Sequence, residues 1–162
     1  MAGWTAAELE WGHGPRVFEM FLEPTCPFSN KAFGKIKDLL AAAVDLVVAL
    51  ILVVVEGSVV PDAIVMEAVA AHRDEFEFDK HCTGPNRTAT PNDIIARIER
   101  YSGVKLAAAF DIPDLDKAIK LHCRYARQNG IHVSPTFMIN GLVQSDMSSG
   151  DAVAVWAQRL TG

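Results

Sequence analysis

The chain's 162 residues, half of them hydrophobic and 22% charged, suit one globular domain with a core large enough to need no disulfide or metal staples. A net charge of −5 lacks the Lys/Arg excess that nucleic acids and anionic membranes demand of a partner, so neither is expected. Cys26, Cys82 and Cys123 are an odd number without repeated spacing, which argues against a secreted disulfide framework and for a reducing compartment.

The opening "MAGWTAAELEWGHG" carries acidic residues, Trp4 and Trp11 where an export signal has a basic start and an apolar run. A cytoplasmic location is the expectation, and a processed periplasmic form the alternative. "RVFEMFLE", Arg16 to Glu23, is a nearly continuous apolar run of strand length, as in a parallel sheet covered on both faces. After Pro24, apolar residues at Phe28, Ala32, Phe33, Ile36, Leu39, Leu40 and Ala43 fall on one helical face. Pro27 suits the first turn of that helix and makes Cys26 its N-cap.

Leu46 to Val55 is the most apolar run, and its ten residues fall far short of the about 20 needed to span a bilayer. It is predicted to be a second strand, parallel to the first through the helical crossover. Helical spacing follows from Asp62 to His72 and can extend through "RDEFEFDK", and "CTGPNRTAT" reads as a loop. Thr90, Pro91 and Asp93 form a helix start, with Gly103 as its stop. A longer helix runs from Pro113 to Asn129 and ends at Gly130. "IHVSPTFMINGLVQ" holds two short apolar runs around Asn140-Gly141, the strongest two-residue hairpin signal. "SSGD" is predicted to cap a closing helix that carries Val153, Val155, Trp156 and Leu160.

The order β-α-β, helical segment, α-β-β-α is that of an α/β thioredoxin-like fold with a four-stranded mixed sheet. Two motifs sharpen the likeness: "CPFS" at the first strand–helix junction, and "VSPTFMING" opening the hairpin. Together they resemble the DsbA-like thioredoxin-fold family. The resemblance implies a single domain over residues 1–162 with a helical insertion over 61–105. It also implies a cis Pro135 facing the cysteine, and a Ser134 whose backbone pairs with bound peptide or glutathione. The likeness is poor over 41–61, where the family has a more polar strand.

The first motif has a chemical reading of its own. A helix N-terminus presents unpaired N–H groups and partial positive charge, so a thiolate at Cys26 is favoured there, and Cys26 is the expected reactive thiol. Pro27 and Phe28 add no charge and would line a substrate groove. Ser29 can donate a hydrogen bond to the thiolate but holds no sulfur, so it cannot resolve a mixed disulfide from within. The expected activity is therefore monothiol exchange, isomerisation or deglutathionylation. Its partners would be protein or glutathione mixed disulfides, with glutathione as co-substrate and no permanently bound cofactor. Two other readings compete: a glutathione-dependent transferase or isomerase of the same fold, and a redox-inactive peptide-binding module.

His81-Cys82 and His122-Cys123 lack the spacing of metal ligands, and no metal is expected. Cys82, within the insertion, is the one conceivable resolving thiol, and Cys123 is assigned to the core. His72 and His122 sit on apolar faces as core histidines, and the run of Glu75, Glu77 and Asp79 as a solvated face.

Overall fold

The computed structural model describes residues 8–24, 26–52, 62–77, 88–106 and 113–162. Within them the chain forms strands Glu10–Gly12 (β1) and Arg16–Leu22 (β2), then helices Pro27–Phe33 (α1) and Ile36–Ala42 (α2). Strand Leu46–Leu52 (β3) precedes helices Ala63–Ala71 (α3), Arg73–Phe76 (α4), Pro91–Ser102 (α5) and Pro113–Gln128 (α6). Strands Thr136–Ile139 (β4) and Leu142–Val143 (β5) and helix Val153–Thr161 (α7) complete it.

β2 and β3 pair in parallel through the α1–α2 crossover, in a register that sets Val17 against Val47 and Leu22 against Leu52. β4 runs antiparallel to β2, and the β4–β5 hairpin turns through Asn140 (φ 49°) and Gly141 (φ 80°). Positive φ at both central residues is the type I′ geometry that Asn-Gly favours. The sheet order is β1-β3-β2-β4-β5, so the sheet has five strands rather than four. The addition is β1, whose three residues pair antiparallel with β3 from Glu10↔Ala49 to Gly12↔Val47. Glu-Trp-Gly carries no strand pattern of its own; the open edge of β3 recruits it through backbone pairing. Gly12 is held to this path, since a Cβ there would lie 2.3 Å from Leu46 O.

Strand alternation divides the interior in two. Phe18, Met20 and Leu22 of β2 and Leu46, Val48, Leu50 and Leu52 of β3 face α1, α2 and α7, around a fully buried Trp156. Phe21 and Met138 face the other way, against Tyr125 and Ala126 of α6. Within the predicted insertion, Val65 and Val69 of α3, Phe76 of α4 and Ile98 of α5 bury one another in a separate small cluster with Val104 and Leu106.

Several boundaries differ from expectation for local reasons. The single helix predicted after Pro27 is two, parted at Gly34-Lys35, because glycine weakens a helix interior. Phe28, assigned to the apolar face, is 64% exposed. The chain turns at His72 (φ −119°, ψ 42°) before one further helical turn to Phe76, and residues 78–80 lie outside the described residues, as do 53–55 of the predicted strand. Thr90 and Asp93 form the expected capping box, and Gly103 ends α5 in the left-handed conformation. "SSGD" does not cap α7: Asp151 Oδ2 accepts from Ser148 N–H and Ser148 Oγ from Gly150 N–H, so the segment closes on itself as a turn. Ala152 then stands at the N-cap without a side-chain bond.

Phe18 is wholly buried, stacked on Phe137 at 5.8 Å and edge-on to Trp156 at 5.7 Å. Phe18→Ala is expected to cost about 3–5 kcal/mol in urea unfolding. Truncating the 69% exposed Leu142 should cost within about 0.5 kcal/mol.

Candidate functional site

β2 ends at Leu22, and five residues later α1 begins; the site is built on that short connection. Cys26 is the N-cap of α1, in extended conformation (φ −78°, ψ 123°) and with no side-chain cap bond, so the thiol is not spent on closing the helix end. Its N–H donates to Glu23 O at 3.1 Å, and its carbonyl accepts the first helical bond from Asn30 N–H at 3.0 Å. The thiol is half-buried and lies 3.9 Å from Ser134 O, toward which it can donate. The Ser134–Pro135 peptide is cis, and both residues are half-buried where the chain enters β4. Cys26, Ser134 and Pro135, 108 residues apart in sequence, thus share one surface. Exposed Phe28 and the 69% exposed Val133 extend the same segments as apolar side chains.

Ser29 is placed differently from the sequence reading. It is 1% exposed, and its hydroxyl accepts from Glu23 N–H at 3.1 Å. The structure records no bond between Ser29 and the Cys26 sulfur. Ser29 therefore braces the strand-to-helix turn rather than donating to the thiol, because burial obliges it to pair with the nearest unpaired backbone group. Asn30, which the sequence reading missed, does the same from the next position. It is 3% exposed, and its Nδ2 donates to Pro24 O at 2.9 Å. Its signal was present, since an Asn four residues after the N-cap in an otherwise apolar pattern has to find a local partner.

Arg73 was also missed, and nothing local in the sequence marks it. From α4 its Nη2 reaches Pro27 O at 3.4 Å, while Nε pairs with the buried carboxylate of Glu77. Glu77 is thus the buried partner of a half-exposed Arg73 and not part of a solvated face. Glu75 accepts from Tyr101 and pairs with Arg97 at 3.7 Å, and its bond from Tyr101 raises that phenol above the ordinary range. Asp79, His81 and Cys82 lie outside the described residues.

The remaining candidates stand apart from the thiol. Cys123 is not in the core: it is half-buried beside Arg124 and Arg127 on the outer side of α6. His122 is tied to the sheet, its Nδ1 accepting Leu52 N–H at 3.0 Å, and burial holds it below the usual histidine range. His72 stacks on Tyr101 with ring centroids 3.6 Å apart. Tyr125 stacks on Phe21, and the adjoining Glu19 carboxylate pushes its phenol up to about 12. Among the described residues no three His, Cys, Asp or Glu side chains come together as metal ligands. None of the described helices is long and apolar enough to cross a membrane.

A cysteine at a strand-to-helix junction, opposite a cis proline opening the next strand of a mixed sheet, defines a thioredoxin-fold protein. No family model and no curated protein matches the chain. Among solved structures, it is 57% identical to a "putative protein-disulfide isomerase" from Pseudomonas syringae, with a TM-score of 0.80 over 94% of this chain and 97% of that one. Two more distant structures share the fold. DsbA from Xylella fastidiosa is 18% identical, with a TM-score of 0.62 over 96% of this chain and 90% of that one. The thiol-disulfide exchange protein alpha-DsbA2 from Wolbachia pipientis is 15% identical, with a TM-score of 0.63 over 95% and 86%. The chain belongs to the DsbA-like thioredoxin-fold oxidoreductases.

The His122 bond has a consequence for pH. Because its folded value is depressed, the neutral ring contributes stability that is whole above the unfolded value near 6.5 and is lost as pH falls through the folded one. Wild type should therefore lose more stability between pH 7.5 and pH 5 than His122→Gln, as read by urea unfolding at the two pH values.

Proposed function

We propose that the protein is a monothiol thiol-disulfide exchange enzyme whose nucleophile is Cys26. The observation that carries this reading is the half-buried thiol, free of any capping bond and 3.9 Å from Ser134 O, beside the cis Pro135. A disulfide bound there would meet the sulfur on one side. On the other it would meet a backbone edge at Ser134 able to pair with an extended peptide. Exposed Phe28 and Val133, with Pro27, supply apolar contact to the segment flanking the substrate cysteine.

The exchange balances without a second protein thiol. The Cys26 thiolate attacks the glutathione sulfur of a mixed disulfide, forming Cys26–S–S–glutathione and releasing the substrate thiolate, which takes up a proton. A glutathione thiolate then attacks the adduct, frees Cys26 and leaves as oxidised glutathione. In the net exchange the substrate sulfur passes from disulfide to thiol and the incoming glutathione from thiol to disulfide, while the glutathione sulfur already in the mixed disulfide keeps its oxidation state. Ser29 supplies no sulfur and is already bonded to Glu23, so the second step belongs to an external thiol. Such a cycle suits a glutathione-containing compartment, the cytoplasm foremost.

Incubated with oxidised glutathione, the protein should gain one glutathione mass, on Cys26, which reduced glutathione removes. Labelling confined to Cys82 or Cys123 would overturn the assignment. In Ser29→Cys, the introduced thiol sits one turn from Cys26, at the spacing that brings helix side chains together. It should close an internal disulfide under oxidising conditions and confer insulin-reductase activity that the wild type lacks. With the Glu23 bond lost, the reduced form of that variant should be destabilised by about 1 kcal/mol.

A further inference from the structure

The segment that faces Cys26 is anchored at both ends and loose between them. Ile131 is buried, and its N–H donates to Ala126 O at 2.9 Å, which ties one end to α6. At the other end Thr136 is half-buried, opens β4 and is paired with Phe21 across the sheet. Between them Val133 is exposed, and the N–H groups of Val133 and Ser134 have no partner among the described residues. Pro135 has no N–H to give. Two bonds hold this stretch: the Cys26 thiol donates toward Ser134 O at 3.9 Å, and Thr136 Oγ1 donates to Val133 O at 2.7 Å. Exchange removes the first of them, because Cys26 carries no proton as a thiolate or in a mixed disulfide. The Thr136 bond is untouched by the chemistry, and a hydroxyl at that distance is a stronger donor than a thiol.

What that bond fixes is more than one oxygen. The Val133 carbonyl and the Ser134 N–H belong to one planar peptide unit, in which the two groups point in opposite directions. Holding Val133 O against Thr136 therefore turns the unpaired Ser134 N–H away from Thr136 and keeps it in one orientation. We propose that Thr136 is a positioning residue for peptide substrates, aiming the Ser134 N–H at a backbone carbonyl of the extended segment that carries the substrate cysteine. The kinetic part of this assignment rests on the exchange reading of Cys26; the binding part does not. A disulfide with no peptide backbone has nothing to offer the Ser134 N–H, so Thr136 favours peptide disulfides over small ones of the same reactivity.

The test compares the full chain with Thr136→Val, which removes the hydroxyl but keeps a β-branched side chain suited to a strand, and with Thr136→Ser, which keeps the hydroxyl. The first measurement is the rate at which free Cys26 is consumed by two reagents, followed by mass spectrometry. One is a short extended peptide whose single cysteine is joined to 2-mercaptoethanol, and the other is 2-hydroxyethyl disulfide. The ratio of the peptide rate to the small-disulfide rate should fall about fivefold in Thr136→Val and return in Thr136→Ser. By calorimetry, the same peptide with its cysteine S-methylated, which cannot exchange, should bind Thr136→Val about fivefold more weakly than wild type or Thr136→Ser. An unchanged ratio with unchanged affinity, an equal fall in both rates, or no recovery in Thr136→Ser overturns the positioning role even if Cys26 reacts with both reagents. If Cys26 reacts with neither reagent while the S-methylated peptide binds in a hydroxyl-dependent way, the exchange reading falls and the positioning role stands.

Discussion

Where β2 hands the chain to α1, Glu23 and Pro24 leave the sheet with polar backbone groups in a buried place, and Ser29 and Asn30 reach back from the helix to take them. Buried N–H and C=O groups are costly to leave unpaired, so this pair of side-chain bonds is a condition for the turn to exist. Everything chemical depends on it, because the same turn sets Cys26 at the helix start with its thiol unengaged by capping. Ser29, the last residue of the motif, and Asn30 just after it, neither of which carries a thiol, are thus the ones that hold the thiol in place.

The sheet supplies the second half of the site. β2 lies between β3 and β4, so its C-terminal end is fixed on both sides by backbone pairing. β4 starts immediately after Pro135, and its pairing with β2 from Thr136↔Phe21 carries Ser134 to the level of Cys26. The core around Phe18, Phe137 and Trp156 stiffens this arrangement from beneath, with α7 and the crossover helices closing one face and α6 the other. Lys35, donating to Ser149 O and Asp151 O and lying 4.9 Å over the Trp156 ring, ties the α1–α2 break to the turn before α7.

The helical layer contributes differently. Its small cluster is separate from the main core, and within it the polar side chains form a chain of partners from Glu77 through Arg73 to Pro27 O, and from Glu75 to Arg97 and Tyr101. Through Arg73 this layer touches the thiol-bearing helix directly.

The sequence by itself determined the periodic and the local. Apolar runs at Arg16–Leu22 and Leu46–Leu52 marked the parallel pair. Thr90-Pro91-Asp93 and Asn140-Gly141 marked a cap and a turn, because a few adjacent residues decide each of those conformations. Cys26 was legible as an N-cap for the same reason. Tertiary structure alone decided which polar side chains face inward and what they meet. Ser29 read as a donor to the thiol and is a brace to Glu23, Cys123 read as core and is half-buried, and Glu77 read as solvated and is a buried partner of Arg73. β1 joined the sheet because an edge strand offers unpaired backbone to any segment that reaches it, whatever its side chains. Arg73 lies 46 residues from the carbonyl it touches, and a contact of that span depends on how whole elements pack, which no local pattern encodes.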